Sequence, residues 1–208
     1  MGGNRRRSDH WTKKAKAAGF SARSVYKLEE IERRERMLPR KGRVVDLGCC
    51  PGSWSQYLRR LAGGKLSLVG IDLTDTPDYP GTFLQGSALT IPSARIVEAL
   101  GGPTADLLMS DMAPNTMGDR FTDHIRQIEL ARAALRISRA VLRPGGDFIV
   151  KVFDGEEAPD FVRSVRPHFR KTRRIKPQAT RNESVEFFIV ARGFKAESRD
   201  SIEPAVSG

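Results

Sequence analysis

The turn Asp46-Leu-Gly-Cys-Cys-Pro-Gly-Ser-Trp54 has residue types and spacing that suit ligand binding. Glycine permits a tight turn and close approach of the backbone to a ligand, and a helix starting after it offers unpaired N–H groups. The spacing Gly48-x-x-x-Gly52 matches neither the dinucleotide pattern Gly-x-Gly-x-x-Gly nor a phosphate loop. Such a turn suits a ligand with an adenosine end and no phosphate, such as S-adenosylmethionine. An ordinary strand–turn–helix corner is the alternative interpretation.

Three charged residues that lie in or next to apolar runs are further candidates for this site. Asp72 ends the run 66–72, where it can accept hydrogen bonds from ribose hydroxyls, as an acid does in NAD sites too. Lys151 interrupts an apolar run, and lysine is almost never fully buried without a partner. Asp111 follows the run 105–110, either as a functional residue or as a turn residue.

The apolar pattern predicts the elements that position these residues. Strands are predicted at 43–48, 66–72, 83–84, 105–110, 147–153, 171–176 and 185–191, and helices at 24–37, 53–61, 92–100, 123–142 and 158–168. The alternation favours an open parallel sheet with helices on both faces, in which ligands bind outside the carboxyl ends of the strands. The candidate residues all fall at such ends.

Length and composition narrow the class of protein. The chain has 208 residues, 39% of them hydrophobic, which is typical of one folded domain. No apolar run approaches the ~18–20 residues of a membrane-spanning helix, and no secretory signal is expected. The two cysteines, Cys49 and Cys50, exclude a disulfide framework and favour a reducing cytosol. Because His10, His124 and His168 are scattered, no metal site is predicted.

The formal net charge of +11 is unevenly distributed. Residues 1–43 hold 14 Lys and Arg against five Asp and Glu, and residues 161–182 hold eight against none. The remainder is net acidic. Two basic segments around an acidic middle favour a polyanionic partner such as nucleic acid, with a solvated surface as the alternative.

Five segments together resemble the FtsJ/RrmJ (RlmE) family of ribosomal RNA 2′-O-methyltransferases. The similarity runs from about Arg23 to Ala191. Its segments are Ser24-Val-Tyr-Lys-Leu-Glu-Glu-Ile31, the turn 46–57, Met109-Ser-Asp-Met-Ala-Pro-Asn115, Ile149-Val-Lys-Val-Phe-Asp-Gly155 and Ser184-Val-Glu-Phe-Phe-Ile-Val-Ala191. The third and fourth are the specific ones, since a glycine turn occurs in many folds.

The resemblance implies an α/β fold and a set of site residues. The fold is Rossmann-like and S-adenosylmethionine-dependent, with a mixed seven-stranded sheet, helices on both faces and an antiparallel last strand. The implied domain covers residues 21–192, between a flexible basic arm (1–20) and a polar tail (193–208). The implied catalytic tetrad is Lys27, Asp111, Lys151 and Glu186, and the implied cofactor contacts are Gly52, Trp54, Asp72 and Asp111.

The resemblance also implies the reaction and its substrate. A methyl group passes from S-adenosyl-L-methionine to a ribose 2′-hydroxyl, in bacterial members that of a uridine in the A loop of 23S rRNA within the 50S subunit or its late precursor. We expect a cytoplasmic monomer with no membrane association and no obligate protein partner. A tRNA 2′-O-methyltransferase and a non-catalytic RNA-binding assembly factor are the alternatives.

Lys151 is the candidate that acts on the 2′-hydroxyl proton. A lysine with the ordinary pKa of about 10.4 is mostly protonated at neutral pH. Lys151 is therefore either a general base or a cation that steers the oxygen lone pair and stabilises a partial alkoxide. Asp111 is expected to orient Lys151, while Lys27 and Glu186 support and position the substrate.

Two positions depart from the family pattern. Ser87 follows Leu84-Gln-Gly, where an acidic residue linked to the adenine is common, so we expect altered adenine affinity. Ser53 stands where the family usually has glycine, and a serine there is expected to need a different local backbone. Trp54, implied as a cofactor contact, is by composition alone more typical of a core residue.

Overall fold

The computed structural model describes residues 12–115, 117–178 and 186–195. The strands are β1 (Gly42–Leu47), β2 (Leu66–Asp72), β3 (Thr82–Gln85), β4 (Ala105–Ser110), β5 (Leu142–Phe153), β6 (Phe169–Ile175) and β7 (Glu186–Phe194). The helices are α1 (Val25–Glu35), α2 (Ser53–Leu61), α3 (Ser93–Leu100), α4 (Arg120–Val141) and α5 (Ala158–Val165). A short 3-10 turn, Arg166–His168, follows α5.

The seven strands form one mixed sheet in the order β3-β2-β1-β4-β5-β7-β6. Strands β1 to β5 pair in parallel, whereas β7 runs antiparallel to both β5 and β6. This confirms the predicted mixed seven-stranded fold with an antiparallel last strand. Between β1 and β4 the strand order reverses direction, which is where open α/β sheets bind ligands.

Helices cover both faces of the sheet, as predicted. On one face, α1 and α2 bury Leu28, Ile31 and Trp54 against sheet residues that include Ile149 and Phe188. On the other face, α3, α4 and α5 pack on a second and larger cluster of apolar side chains. No helix within the described ranges is long and apolar enough to cross a membrane.

Several element boundaries differ from the prediction. Strand β5 starts at Leu142 instead of 147. Leu142 already pairs with Ala105 of β4, and pairing resumes at Asp147 after a register shift that spans the Pro144-Gly145-Gly146 segment. Helix α4 starts at Arg120 instead of 123, since the Asp119 side chain accepts a hydrogen bond from Thr122 N and caps it. The last strand was predicted from residue 185, which lies outside the described residues.

The two ends of the folded part also extend beyond the predicted domain. The arm predicted over 1–20 is described only from residue 12, and residues 12–17 are helical. Ala15 is buried with Val25 and Tyr26, so this part of the arm is docked. The tail predicted from 193 begins later, because Phe194 is a buried residue of β7. The rest of the predicted arm and tail lies outside the described residues.

Candidate active site

A cleft of about 360 Å³ lies at the carboxyl ends of the central strands. Its lining comes from the segments that follow β1, β2, β3 and β4, with one residue of α4. Two of the predicted cofactor residues, Asp72 and Asp111, belong to it. The lining residues are Gly48, Cys50, Ile71, Asp72, Leu73, Thr74, Gly86, Ser87, Ala88, Asp111, Met112, Ala113 and Leu130.

The backbone of the cleft depends on glycine at one contact. Gly48 has φ +72°, and a Cβ added there would lie 2.6 Å from Met112 Cγ. The turn after β1 and the segment after β4 therefore touch only because residue 48 has no side chain. At Gly86, in contrast, an added Cβ would meet no protein atom within 4 Å, so the wall is open there.

Asp72 holds the two turns that border the cleft. Its Oδ2 accepts a hydrogen bond from Cys50 N at 2.9 Å, and its Oδ1 accepts one from Thr74 N at 2.9 Å. Each carboxylate oxygen has two acceptor sites, so Asp72 can still receive a hydroxyl. Ser87 Oγ accepts from Leu89 N, which leaves the hydroxyl proton as a donor.

These residues fit an adenosine-containing cofactor. The volume lies within the ~300–1,000 Å³ of small-ligand pockets. The donors and acceptors offered by Asp72 and Ser87 suit ribose and adenine, and the open wall at Gly86 leaves room for a flat group. Ser53 needs no unusual backbone, because Gly52 has φ +94° and Ser53 is simply the first helical residue of α2.

Two predicted cofactor residues, Gly52 and Trp54, do not line the cleft. Gly52 caps α2 with its positive φ. The Trp54 side chain is 3% exposed, packs 5.7 Å from the ring of Phe188, and donates from Nε1 to Ser24 O at 3.0 Å. The Trp54 side chain is therefore a core residue, as its composition predicts. Its implied role as a cofactor contact stays a prediction.

The structure brings the four predicted tetrad residues together. Lys151 Nζ lies 3.1 Å from Asp111 Oδ1 and donates to Asp111 O at 2.5 Å. Lys27 Nζ lies 2.5 Å from Glu186 Oε1 and 3.8 Å from Asp111 Oδ1. The side chains are 6–17% exposed, so the cluster is largely shielded from water. Asp111 belongs to both the cluster and the cleft, which makes the two regions neighbours.

Sheet register explains how residues distant in sequence reach one point. Lys151 pairs with Phe188 across β5 and β7, and Phe153 pairs with Glu186. Because side chains two residues apart share a face, Lys151 and Glu186 lie on the same face of the sheet. Asp111 follows β4, the neighbour of β5. Helix α1 packs on this face and supplies Lys27.

The charges of the cluster stabilise one another. Burial acts to raise the pKa of Asp111, but the ammonium groups of Lys151 and Lys27 outweigh it and hold that pKa below its ordinary value. Burial acts to lower the pKa of Lys27, but the carboxylates of Asp111 and Glu186 outweigh it and raise that pKa. Asp111 is therefore an anion, and Lys27 a cation, at neutral pH.

Gln127 is a site residue that the sequence interpretation missed. Pairing between β4 and β5 ends at Ser110 and Val150, which leaves the next part of β5 without a strand on that side. Gln127 Nε2 donates to Lys151 O at 2.7 Å, and its Oε1 accepts from Phe153 N at 3.1 Å. A fully buried amide thus replaces a strand and holds the backbone of Lys151. A polar residue on the inward face of α4 was the available signal.

A buried carboxyl with a raised pKa lies near the end of β1. Asp46 is buried at the end of β1 and accepts a hydrogen bond from Ser55 Oγ at 2.7 Å. Burial raises the pKa of Asp46 to about 7, with the charges of Asp111 and Asp72 acting in the same direction.

Cys49, in the turn after β1, is also buried. Burial raises the pKa of its thiol, so Cys49 is a packed and unreactive residue.

The mixed sheet, the cleft at its point of strand reversal and the charged cluster beside it are typical of an α/β enzyme with a cofactor-sized cleft next to its charged side chains. Comparison with known proteins narrows this class. The model of the family described as FtsJ-like methyltransferase matches residues 20–194. The chain belongs to this methyltransferase family.

Individual relatives agree with the family. The chain is 40% identical over 193 residues to ribosomal RNA large subunit methyltransferase E of Desulfatibacillum aliphaticivorans, covering 91% of this chain and 92% of the other. The protein of the same name from Methanothrix thermoacetophila is 41% identical over 90% of this chain and 73% of its own length. That of Pseudomonas aeruginosa strain PAO1 is 40% identical over 91% and 92%.

A solved structure supports the fold. The crystal structure of a ribosomal RNA methyltransferase from Plasmodium falciparum superposes with a TM-score of 0.75. The two chains are 24% identical, and the superposition covers 84% of this chain and 98% of the other. At this level of identity the likeness shows the shared fold alone.

Proposed function

We propose that this protein is an S-adenosyl-L-methionine-dependent methyltransferase that modifies the 2′-hydroxyl of a uridine in the A loop of 23S rRNA. Its substrate in this proposal is the 50S subunit or a late precursor, met in the cytoplasm by a monomer. The observation that carries the proposal is the Lys27–Asp111–Lys151–Glu186 cluster beside the cofactor-sized cleft. The names of the 40%-identical relatives support large-subunit rRNA as the target.

The cleft residues account for cofactor binding. Asp72, Ser87 and Asp111, together with the turn at Gly48 and Cys50, would hold S-adenosyl-L-methionine. When bound, this cofactor supplies a methyl group on a sulfonium, which an alcohol oxygen displaces in line. The good leaving group means that the protein mainly has to position the hydroxyl and manage its proton.

In this proposal Lys151 is the residue that manages that proton. An ammonium group has three N–H donors, and Asp111 engages Lys151 Nζ at two of its atoms. These two atoms cannot occupy all three N–H directions, so at least one direction is left for an incoming 2′-oxygen. In that direction Lys151 either takes the hydroxyl proton as an amine or stabilises the developing negative charge as an ammonium. Gln127 fixes the backbone from which it acts.

The other tetrad members keep the charges balanced around Lys151. Asp111 orients the Lys151 ammonium through its carboxylate and its backbone carbonyl. Lys27 stays cationic and offsets the negative charge of Asp111 and Glu186. Glu186 in turn holds Lys27 at 2.5 Å, on the same face of the sheet as Lys151. In this proposal the result is a charge-balanced surface, largely shielded from water, for a ribose hydroxyl.

The two basic segments of the sequence meet in the fold, which supports an RNA partner. Arg173 of β6 pairs with Glu35 of α1 at 3.0 Å, and Gln178 N donates to Glu30 of α1 at 2.7 Å. Not every charge is available, because Arg174 pairs with Asp154. We define the basic edge as the exposed Lys and Arg residues in or directly after α1 and β6 that form no ion pair with another described residue: Arg33, Arg36, Arg170, Lys171 and Lys176.

Methyl transfer from labelled S-adenosyl-L-methionine tests the function. The protein is incubated with 50S subunits lacking the modification, with tRNA, or with buffer free of RNA. We expect label on the 50S subunits alone, at a ribose 2′-oxygen of the A loop. Label on tRNA alone would identify a tRNA methyltransferase, and tight 50S binding without label would identify a non-catalytic assembly factor.

A further inference from the structure

The carbonyl oxygen of Ser24 joins two parts of the molecule. It accepts a hydrogen bond from Trp54 Nε1 at 3.0 Å and another from Lys27 N at 3.0 Å. A carbonyl oxygen has two lone pairs, so both are used. One atom therefore ties the start of α2, which follows the cofactor turn, to the backbone of a tetrad residue.

The Ser24 side chain makes a second link between the same helices. Ser24 is the N-cap of α1, yet its hydroxyl forms no capping hydrogen bond, whereas a capping serine ordinarily accepts from an N–H two or three residues on. The hydroxyl lies instead 2.9 Å from that of Ser53, the first residue of α2. The two hydroxyls therefore join the first turns of α1 and α2 directly.

A third contact supports the Lys27 side chain. The rings of Trp54 and Phe188 lie 5.7 Å apart, and Lys27 Nζ lies 5.7 Å from the centroid of the Phe188 ring. Phe188 is the register partner of Lys151. The Trp54 indole thus supports Lys27 at the backbone, through Ser24, and at the side chain, through Phe188.

The position of Lys27 is sensitive to such support. Its ammonium touches Glu186 closely, but reaches Asp111 Oδ1 only at 3.8 Å, near the limit of an ion pair. In a reaction that depends on alignment, a misplacement of about 1 Å can cost roughly a hundredfold in rate. Trp54 does not line the cleft, so its buried side chain is available for this positioning task.

We propose that Trp54 and Ser53 are positioning residues that hold Ser24 and thereby place the Lys27 ammonium between Asp111 and Glu186. The inference rests on the proposed function, which assigns charge balance around Lys151 to Lys27. It adds a physical connection between the turn that borders the cofactor cleft and the charged cluster.

Trp54→Phe is the main test, because it removes the indole N–H and keeps an aromatic ring against Phe188. We expect kcat for 50S methylation, measured at saturating S-adenosyl-L-methionine, to fall about tenfold. In a Lys27→Ala background the same substitution should lower kcat by less than about twofold, since the residue it positions is gone. Equal losses in both backgrounds would overturn the proposal.

Tyr57→Phe is the matched control. It removes one polar atom from the same helix, one turn further on, where the ring packs against Phe20 and Val25 and not in the Trp54–Phe188 pair. Its kcat should equal that of the unmodified protein. Ser53→Gly removes the hydroxyl pair and leaves the Trp54 hydrogen bond in place, so we expect a smaller drop of about twofold to threefold. If Trp54→Phe does not fold, as checked by thermal melting, Ser53→Gly carries the same test.

Hydrogen exchange at the Lys27 amide gives a readout that needs no methyl transfer. This amide is protected by its bond to Ser24 O, so its exchange should accelerate at least about threefold in Trp54→Phe and not in Tyr57→Phe. Unchanged exchange together with unchanged kcat would overturn the positioning role. If the unmodified protein methylates no RNA, the proposed function fails, and the exchange measurement still decides the link through Ser24.

Discussion

The cofactor cleft and the charged cluster share Asp111 but are built in different ways. The cleft consists of turns whose backbone groups are fixed by each other and by Asp72, with Gly48 allowing two turns to touch. The cluster consists of side chains from four separate elements, held by ion pairs and by sheet register. Backbone turns suit a ligand of fixed shape, whereas side-chain charges suit the handling of a proton.

This difference predicts separable effects of substitution. Changes in the cleft should alter cofactor affinity and leave the rate at saturation largely intact. Changes in the cluster should alter the rate and leave cofactor affinity largely intact. Asp111, which belongs to both regions, is the one residue whose replacement should affect both.

Lys151→Ala should give the largest effect. It removes the group that manages the 2′-hydroxyl proton, so we expect methyl transfer to fall by about a thousandfold or more. The Kd for S-adenosyl-L-methionine, measured by calorimetry, should change little, because Lys151 does not line the cleft. Lys65→Ala, at an exposed position before β2, is the control and should be fully active. Near-normal turnover of Lys151→Ala would remove Lys151 from the mechanism.

Much of the site could be predicted from local sequence. Lys151 was detectable because a charge interrupts an apolar strand, and Asp111 because it ends one. Lys27 and Glu186 carry no such local signal, since a charge on a helix or an edge strand is common, so they needed the resemblance. Gln127 was missed because its task is set by where β4 stops pairing with β5, which depends on contacts distant in sequence.

The fold shows the same limit. Apolar runs predicted every strand, but the antiparallel direction of β7 came from the resemblance alone. The Pro144-Gly145-Gly146 segment has turn composition, yet it stays within β5 because Leu142 before it and Asp147 after it both pair with β4. Residues 18–20 are predicted as the end of the arm because residues 1–20 are rich in Gly, Arg, Lys and Ser, with residue 21 as the start of the domain. Residues 18–21 are held by Arg60, which donates to Ala18 O and Gly19 O, and by Gln56, which bonds Ser21.

Asp72→Asn should give the next largest effect, this time on cofactor binding in the cleft. The substitution leaves one acceptor oxygen where two now receive Cys50 N and Thr74 N, and it removes the negative charge. Hydrogen bonds to charged groups contribute about 1.5–3 kcal/mol, so the Kd for S-adenosyl-L-methionine should rise about tenfold to a hundredfold. Calorimetry measures this, and kcat at saturating cofactor should fall less than about threefold. An unchanged Kd would contradict the assignment of Asp72.

Asp46→Asn should change how the free energy of unfolding depends on pH. The folded pKa of Asp46 is raised to about 7, above the ~3.9 of an unfolded chain, so the folded state binds the extra proton between about pH 4 and 7. The free energy of unfolding therefore falls as pH rises through this window, by up to about 1.4 kcal/mol per pH unit. Asp46→Asn should flatten that slope in urea unfolding from pH 5 to 8, whereas Asp75→Asn, at an exposed position, should not. An unaltered slope would mean that Asp46 is charged in the folded protein.

The salt dependence of binding should distinguish RNA binding from cofactor binding. The substitution that tests it, Lys171→Glu, should have the smallest effect of those predicted. If the basic edge grips phosphates, 50S or A-loop RNA affinity should fall steeply with salt, losing about 0.7–0.9 in log–log slope per contact, while cofactor affinity barely responds. Lys171→Glu should weaken RNA binding severalfold at low salt and reduce that slope. Arg95→Glu changes the net charge equally from α3, on the opposite face, so it should act much less. If both variants weaken RNA binding equally, net charge alone attracts the RNA. If RNA affinity and cofactor affinity respond equally to salt, the basic edge is only a solvated surface.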